Sequence, residues 1–272
     1  MTPAGISLLT SIYLGLFAGG LAFFWLWEDG APLIAFVDER ARRRHALVNL
    51  GVLAAVIVFA DLLVGTWLLR VGDHLLDPPN GLLTPLGLPV EAQIVVAFIA
   101  VDLYEYGLHR LAHRWRPLWL LHAVHHSDPH VDMTTAARHH PLETAISLVL
   151  RVGLYLALGL PLWIEVVRIV VVNALFLLQH ANVRCPRALE ALRVVFVTPS
   201  VHRQHHSPVA PLIDRNFGQI FSFWDRLFRT YAEPAADAPP EYGLRKLGGT
   251  PWQTLAGVLL TPLRARTIPG PL

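Results

Sequence analysis

A chain of 272 residues could form one domain or two, but 54% of it is hydrophobic and 15% charged, with a mean hydropathy of +0.46, which argues for membrane embedding over a water-soluble fold. The net charge of +2 is too small to argue for a nucleic-acid partner, and the basic residues stand in short groups beside apolar runs, as membrane-flanking charge does. The one cysteine, Cys185, excludes an internal disulfide and a thiolate-rich metal cage, so any metal must be held by nitrogen and oxygen ligands.

In chain order, an uncharged apolar run from about Gly5 to Trp27 is long enough to cross a bilayer, with Trp25 and Trp27 as interfacial anchors. It has no basic region before it and exceeds the usual signal-peptide core, so a span is expected rather than a cleaved leader. The basic cluster from Glu39 to His45 precedes a second run, from about Ala46 to Leu69, and the positive-inside rule makes that loop cytoplasmic. Asp61 in this run is expected to face a bundle interior, because a carboxylate in lipid is costly. Prolines and Asn80-Gly81 break the chain between Gly72 and Val90. A third run starts near Ala92 and carries Asp102, Glu105 and Tyr106 toward the cytoplasmic face. After a polar cytoplasmic segment, Leu142 to Val183 is long enough for a two-helix hairpin turning at Gly159 to Pro161, which returns His180 to the face of His140. Ala188 to Val197 is amphipathic and expected on the membrane surface. Trp252 to Leu263 is too short to span and is expected to be interfacial or packed on the bundle, beyond a Pro- and Ala-rich linker at residues 233–240.

Twelve of the fourteen histidines lie between His109 and His206. His109 and His113 are four apart and share a helix face, while His122, His125, His126 and His202, His205, His206 each fall at i, i+3 and i+4. Any single histidine is explained more simply as a packed or surface residue, and His45, His74, His130 and His139 are read so. The set is not, since eight or more imidazoles packed together without an ion would leave donors and acceptors competing. The boxes give eight imidazoles, and His140 and His180 make ten, which suits two ions with four or five nitrogens each. Imidazole alone does not choose among iron, copper, nickel and zinc. A site beside apolar helices suggests a lipid whose unreactive carbon meets an oxidant made from iron and dioxygen. Zinc would imply hydrolysis, for which no Ser/His/Asp arrangement is evident, and a non-catalytic metal store remains open.

The three boxes, with Arg138-His-His-Pro-Leu-Glu143, His180-Ala-Asn182, Asn216-Phe-Gly and Trp224-Asp-Arg-Leu-Phe, closely resemble the fatty acid hydroxylase / sterol desaturase superfamily over residues 95–232. The resemblance implies an all-α integral membrane bundle of about four transmembrane helices with a cytoplasmic histidine-rich cap. It also implies two iron ions, O2 as co-substrate, and hydroxylation, desaturation or ether cleavage of a lipid. Residues 1–91 are then N-terminal membrane helices, 92–232 the di-metal domain, and 233–272 a tail. The implied ligands are His109, His113, His122, His125, His126, His140, His180, His202, His205 and His206, with no catalytic residue separate from them. His140 is preferred over His139 because it stands directly before Pro141. Carboxylates expected to orient the rings by accepting their outer N–H protons are Asp102, Glu105, Asp128, Glu143 and Asp225. The family often has glycine where this chain has Arg229. No haem-binding domain is evident at either end, so a separate reductase, ferredoxin or cytochrome is the expected electron donor.

Overall fold

The computed structural model describes residues 3–71, 80–209, 212–234 and 241–267. The expectations placed on His74 and on the side chain of Asp61, and the linker at residues 235–240, lie outside what is described. The described residues are helical, joined by loops with two isolated β-bridges and no extended sheet.

Five long helices make the body: α1 (Pro3–Gly30), α2 (Glu39–Val71), α3 (Val90–Arg114), α5 (Pro141–Leu158) and α6 (Trp163–His180), with the short α4 (Arg116–His126) following α3. Among the described residues three stretches are long and apolar enough to cross a membrane: Glu39–Ala60 in α2, Pro141–Leu158 and Trp163–His180. Leu47 and Leu62 on α2, Leu150 on α5 and Val167 on α6 are exposed, as side chains facing lipid would be. This is an all-helical membrane bundle.

The hairpin turn falls where glycine and proline allow it. α5 stops at Gly159, whose φ of +73° is left-handed and whose N–H bonds back to the carbonyls of Leu156 and Tyr155. Leu160 and Pro161 then lead into α6. The segment at Gly81 to Leu83 pairs with this turn through Leu82 N to Ala157 O and Leu83 N to Leu158 O. A Cβ on Gly81 would stand 2.2 Å from Gly159 N, so both glycines are required by the close approach. Ala97 and Val101 of α3 pack here with Val152 and Tyr155 of α5 and Ile164 of α6.

α1 lies along α6 and α2 along α5. At the end of α1 the buried Glu28 accepts from Met133 N and Asn182 N, each at 2.8 Å, tying the first helix to both flanks of the histidine region. The polar segment after α4 is tied to α2 instead. Asp128 accepts from His45 Nε2 at 2.8 Å, Asn49 Nδ2 at 3.1 Å and Thr135 Oγ1 at 2.8 Å, while Arg138, fully buried, reaches Asn49, Ser127 and Gln253.

The rest of the chain caps one end through α7 (Arg187–Glu190), α8 (Pro199–His205), α9 (Phe223–Leu227), α10 (Leu255–Leu259) and α11 (Thr261–Arg264). α10 packs on α2 and α11 on α4, with Val258 buried against Val52 and Val124. The apolar run at 252–263 therefore packs on the bundle, one of the two placements expected of it.

Candidate metal centre

Four helices bring the histidines together. His109 and His113 stand one turn apart on α3, which ends at Trp115 in extended geometry; Pro117 then sits in the first turn of α4, where a missing N–H costs nothing. α4 carries His122, His125 and His126. His180 is the last residue of α6. α8 starts at Pro199 and carries His202 and His205, with His206 at its C-cap.

The imidazoles sort into two groups. His109, His113, His122, His126 and His205 form one, and His125, His180, His202 and His206 the other, with the ligand nitrogens of each group within 4.8 Å of one another. Each i, i+3, i+4 triple is divided between the groups rather than presented to one side. α4 gives His122 and His126 to the first group and His125 to the second; α8 gives His205 to the first and His202 and His206 to the second.

The Nε2 atoms converge. His126 Nε2 lies 3.2 Å from both His113 Nε2 and His122 Nε2. In the second group His180 Nε2 lies 3.2 Å from His125 Nε2 and 2.9 Å from His202 Nε2, which lies 3.2 Å from His206 Nε2. A ring nitrogen has either one proton or one in-plane lone pair, so it satisfies one such neighbour and not two. A cation satisfies all of them: metal–imidazole bonds of about 2.0–2.1 Å leave adjacent ligand nitrogens about 3 Å apart at right angles.

The outer nitrogens show which tautomer is held. His109 Nδ1 donates to Phe217 O at 2.9 Å, His205 Nδ1 to Arg215 O at 2.7 Å and His180 Nδ1 to Phe176 O at 2.8 Å. His122 Nδ1 donates to Glu143 Oε1 at 2.7 Å. Each bond puts the proton outside and leaves the Nε2 lone pair facing inward. Nε2 of His109 and of His205 is buried with no hydrogen-bond partner. Burial, then the neighbouring imidazoles, hold His125, His126, His202 and His206 well below their ordinary pKa, and His205 is taken down to about 3. These five are therefore held neutral, with lone pairs free to bind a metal. Two nitrogen-donor sets with these lone pairs fit two transition-metal ions.

The structure does not bring His140 into either group. It is the N-cap of α5, and its Nδ1 accepts from Leu142 N at 3.1 Å. The sequence favours His140 over His139; here the extended backbone before Pro141 turns His140 to its own helix end. His139 instead stacks on His125, with centroids 4.4 Å apart and planes at 12°.

Of the five carboxylates expected behind the rings, only Glu143 touches a histidine of either group. Asp102 is fully buried but accepts from Ile220 N, Phe221 N and Trp224 Nε1. Asp225 accepts from Phe217 N, Gly218 N and Thr230 Oγ1. These two shape the loop that supplies the Phe217 carbonyl to His109, so they act one step further out. Asp128 holds His45, which is in neither group, and Glu105 pairs with Arg151 at 2.6 Å. The sequence reading missed the three backbone carbonyls, which no side chain announces, and Asp214, whose Oδ1 lies 3.4 Å from His113 Nδ1. It also placed His139 among the packed residues.

A cavity of about 300 Å3 opens beside the histidines. His109, His122, His125, His180 and His202 line it together with apolar side chains including Leu108, Leu118, Ile146, Ile169, Val172 and Phe176.

Among the described residues, a membrane bundle of helices gathers nine imidazoles into groups of five and four, each able to hold a metal ion, which defines a histidine-box type of membrane protein. The model of the fatty acid hydroxylase family matches residues 94–230, and the chain belongs to that family. It is 32% identical to an ornithine lipid hydroxylase of Rhizobium tropici over 157 residues, 57% of this chain and 46% of that protein. It is 33% identical to the alkylglycerol monooxygenase of Danio rerio over 155 residues, 57% of this chain and 33% of that one. A sphingolipid C4-hydroxylase of Schizosaccharomyces pombe is 30% identical over 155 residues, 55% of this chain and 51% of that one. The match thus spans about half or less of each of these relatives. No solved structure matches the chain.

Proposed function

We propose that the chain is a dioxygen-dependent, di-iron membrane oxidoreductase that hydroxylates or desaturates a lipid C–H bond. The observation that carries this reading is the joining of both imidazole groups to one apolar cavity within a membrane bundle. The relatives named as ornithine lipid and sphingolipid hydroxylases support it, and those named as alkylglycerol monooxygenases keep ether lipids among the substrates to be offered. In this reading the bundle has about four spans, the histidine cap lies on the cytoplasmic side, and a separate reductase, ferredoxin or cytochrome supplies electrons.

His109, His113, His122, His126 and His205 would hold one ion, and His125, His180, His202 and His206 the other. Iron at these positions would supply, with dioxygen and two electrons and two protons from the donor side, an oxidant for an aliphatic C–H bond; in hydroxylation one oxygen atom enters the substrate and the other leaves as water, and in desaturation both leave as water. The chain's own part is positional. Glu143 and the carbonyls of Phe217, Arg215 and Phe176 hold ring protons outward and fix the rings. Apolar walls from α3, α4, α5 and α6 seat a hydrocarbon and keep bulk water off the nitrogens.

The test is production of the full chain in a lipid-rich host, with lipid mass spectrometry. The expected result is a species gaining one oxygen or losing two hydrogens, dependent on dioxygen and absent from His125→Ala and His205→Ala. Full metal content and full product in either variant would overturn the ligand assignment. Product formed without dioxygen would overturn the reaction class.

A further inference from the structure

Beyond the histidines the same cavity runs into a buried group of charges. Glu105, Ser147, Arg151, Arg168 and Gln219 line it, on α3, α5, α6 and the loop after α8. Arg151 Nη1 contacts Glu105 Oε1 at 2.6 Å and Ser147 Oγ at 3.1 Å, and Arg151 Nε stands 2.6 Å from Glu165 Oε1. Arg168 donates to both oxygens of Glu165, at 2.7 and 3.0 Å, and to Gln219 Oε1 at 3.1 Å. Ionised side chains inside a membrane bundle are costly, and when they border a cavity they mark what passes through it.

The charges balance: two guanidinium groups, Arg151 and Arg168, face two carboxylates, Glu105 and Glu165. Asp102 is close enough to Arg168 to interact with it and adds a third carboxylate behind. No positive charge is left over, so a carboxylate or phosphate entering here would shed its hydration without gaining a counter-ion. Ser147 Oγ donates to Glu105 Oε1 at 3.2 Å and accepts from Arg151 Nη1 at 3.1 Å, so a neutral group that both donates and accepts would enter by exchange, donating to the Glu105 carboxylate and accepting from the Ser147 hydroxyl or the Arg151 guanidinium.

Ser147 stands four residues beyond Glu143 on α5, and Glu105 four residues before His109 on α3. Four residues rise about 6 Å along a helix, so both lie roughly one turn from the histidine layer.

We propose that Ser147, Glu105 and Arg151 form a binding subsite for an uncharged hydrogen-bonding group, such as a hydroxyl or amide, carried by the lipid within one helical turn of the histidines. The substrate class is therefore an amphiphile with a neutral polar group, and neither a plain hydrocarbon nor a free fatty acid. This builds on the reading of the chain as a lipid oxidase, but binding to the subsite is measurable without turnover.

The experiment is equilibrium binding of radiolabelled 1-hexadecanol, hexadecane and palmitate to the detergent-solubilised full chain, alongside Ser147→Ala and the Ser147→Ala/Arg151→Lys pair. Wild type is expected to bind hexadecanol about tenfold more tightly than hexadecane, the yield of one or two net hydrogen bonds, and more tightly than palmitate. Ser147→Ala should narrow the preference severalfold, and the pair should abolish it with hexadecane binding unchanged. Equal binding of hexadecanol and hexadecane by wild type, a preference for palmitate, or an undiminished preference in Ser147→Ala would each overturn the proposal. If the pair loses hexadecane as well, its cavity has collapsed and Ser147→Ala decides. A chain that keeps the preference for the alcohol but oxidises no lipid would refute the oxidase reading and leave the subsite standing.

Discussion

Nδ1 of His122 donates to Oε1 of Glu143 across 2.7 Å, joining the second histidine box to the first turn of α5. Glu143 is the one acidic side chain among the five expected ones that reaches a ring of either group, and its other oxygen lies 3.8 Å from His139 Nδ1. Removing such a partner typically lowers metal affinity ten- to a hundredfold. Glu143→Gln, which keeps the shape, should therefore lose metal to a competing chelator at a lower concentration than wild type. Metal content measured by mass spectrometry after graded chelation checks this; an unchanged curve would count against an orienting role.

His140 caps a helix, so it should be dispensable for metal and not for stability. His140→Ala is expected to retain the wild-type metal content while losing about 1 kcal/mol, the usual cost of an N-cap. Metal analysis and a thermal melt on the same preparation separate the two roles. A fall in metal content in this variant would restore His140 as a ligand.

The imidazoles outside the membrane helices make the metal-free protein acid-sensitive. Unfolded histidine protonates near pH 6.5, whereas burial and neighbouring rings keep His125, His126, His202 and His206 neutral far below that, and His205 until about 3. Between those limits protons bind the unfolded chain preferentially. The contribution of these groups is complete above about 6.5 and is lost progressively as pH falls. Melting temperatures of metal-free protein should hold steady from about pH 8 to 7 and decline below it. A melting temperature that rises on acidification through that range is the contrary result.

Arg229 has a φ of +60° in the turn after α9, with an exposed side chain. A side chain in this region costs roughly 1–2 kcal/mol, and glycine avoids that cost. This accounts physically for the glycine common at this place in the family's pattern. Arg229→Gly should raise the melting temperature by about 2–4 °C for a domain of this size, with product formation unchanged. A lower melting temperature would show that the guanidinium does more than sit in solvent.

Much of this arrangement was legible in the sequence, for local reasons. Gly159 and Pro161 interrupt an apolar run long enough for two helices, and those two residues make the turn. The i, i+3, i+4 spacings placed the histidines on short helices, and the count of ten suggested two sets. What spacing concealed is direction. At about 100° per residue, His125 points roughly 100° away from His126 while His122 and His126 stay about 40° apart, so one triple serves two centres. The place of His139 and His140 depends on the extended residue before Pro141, which periodicity does not describe. Asp102, Asp128 and Asp225 are buried near the centre as expected, yet they hold backbone N–H groups, an indole N–H and His45. Their partners come from chain 83 to 122 residues away, or from a loop whose shape no pattern encodes.

The division of α4 and α8 between the two imidazole groups has a consequence for assembly. On the two-ion reading neither helix would serve one ion alone, so the first ion to arrive would fix the tilt and rotation of both helices and thereby preform the vacant half. Loading is then all-or-none: titrated with ferrous ion, the chain should pass from none to two without a plateau at one, and a lesion in either half should empty both.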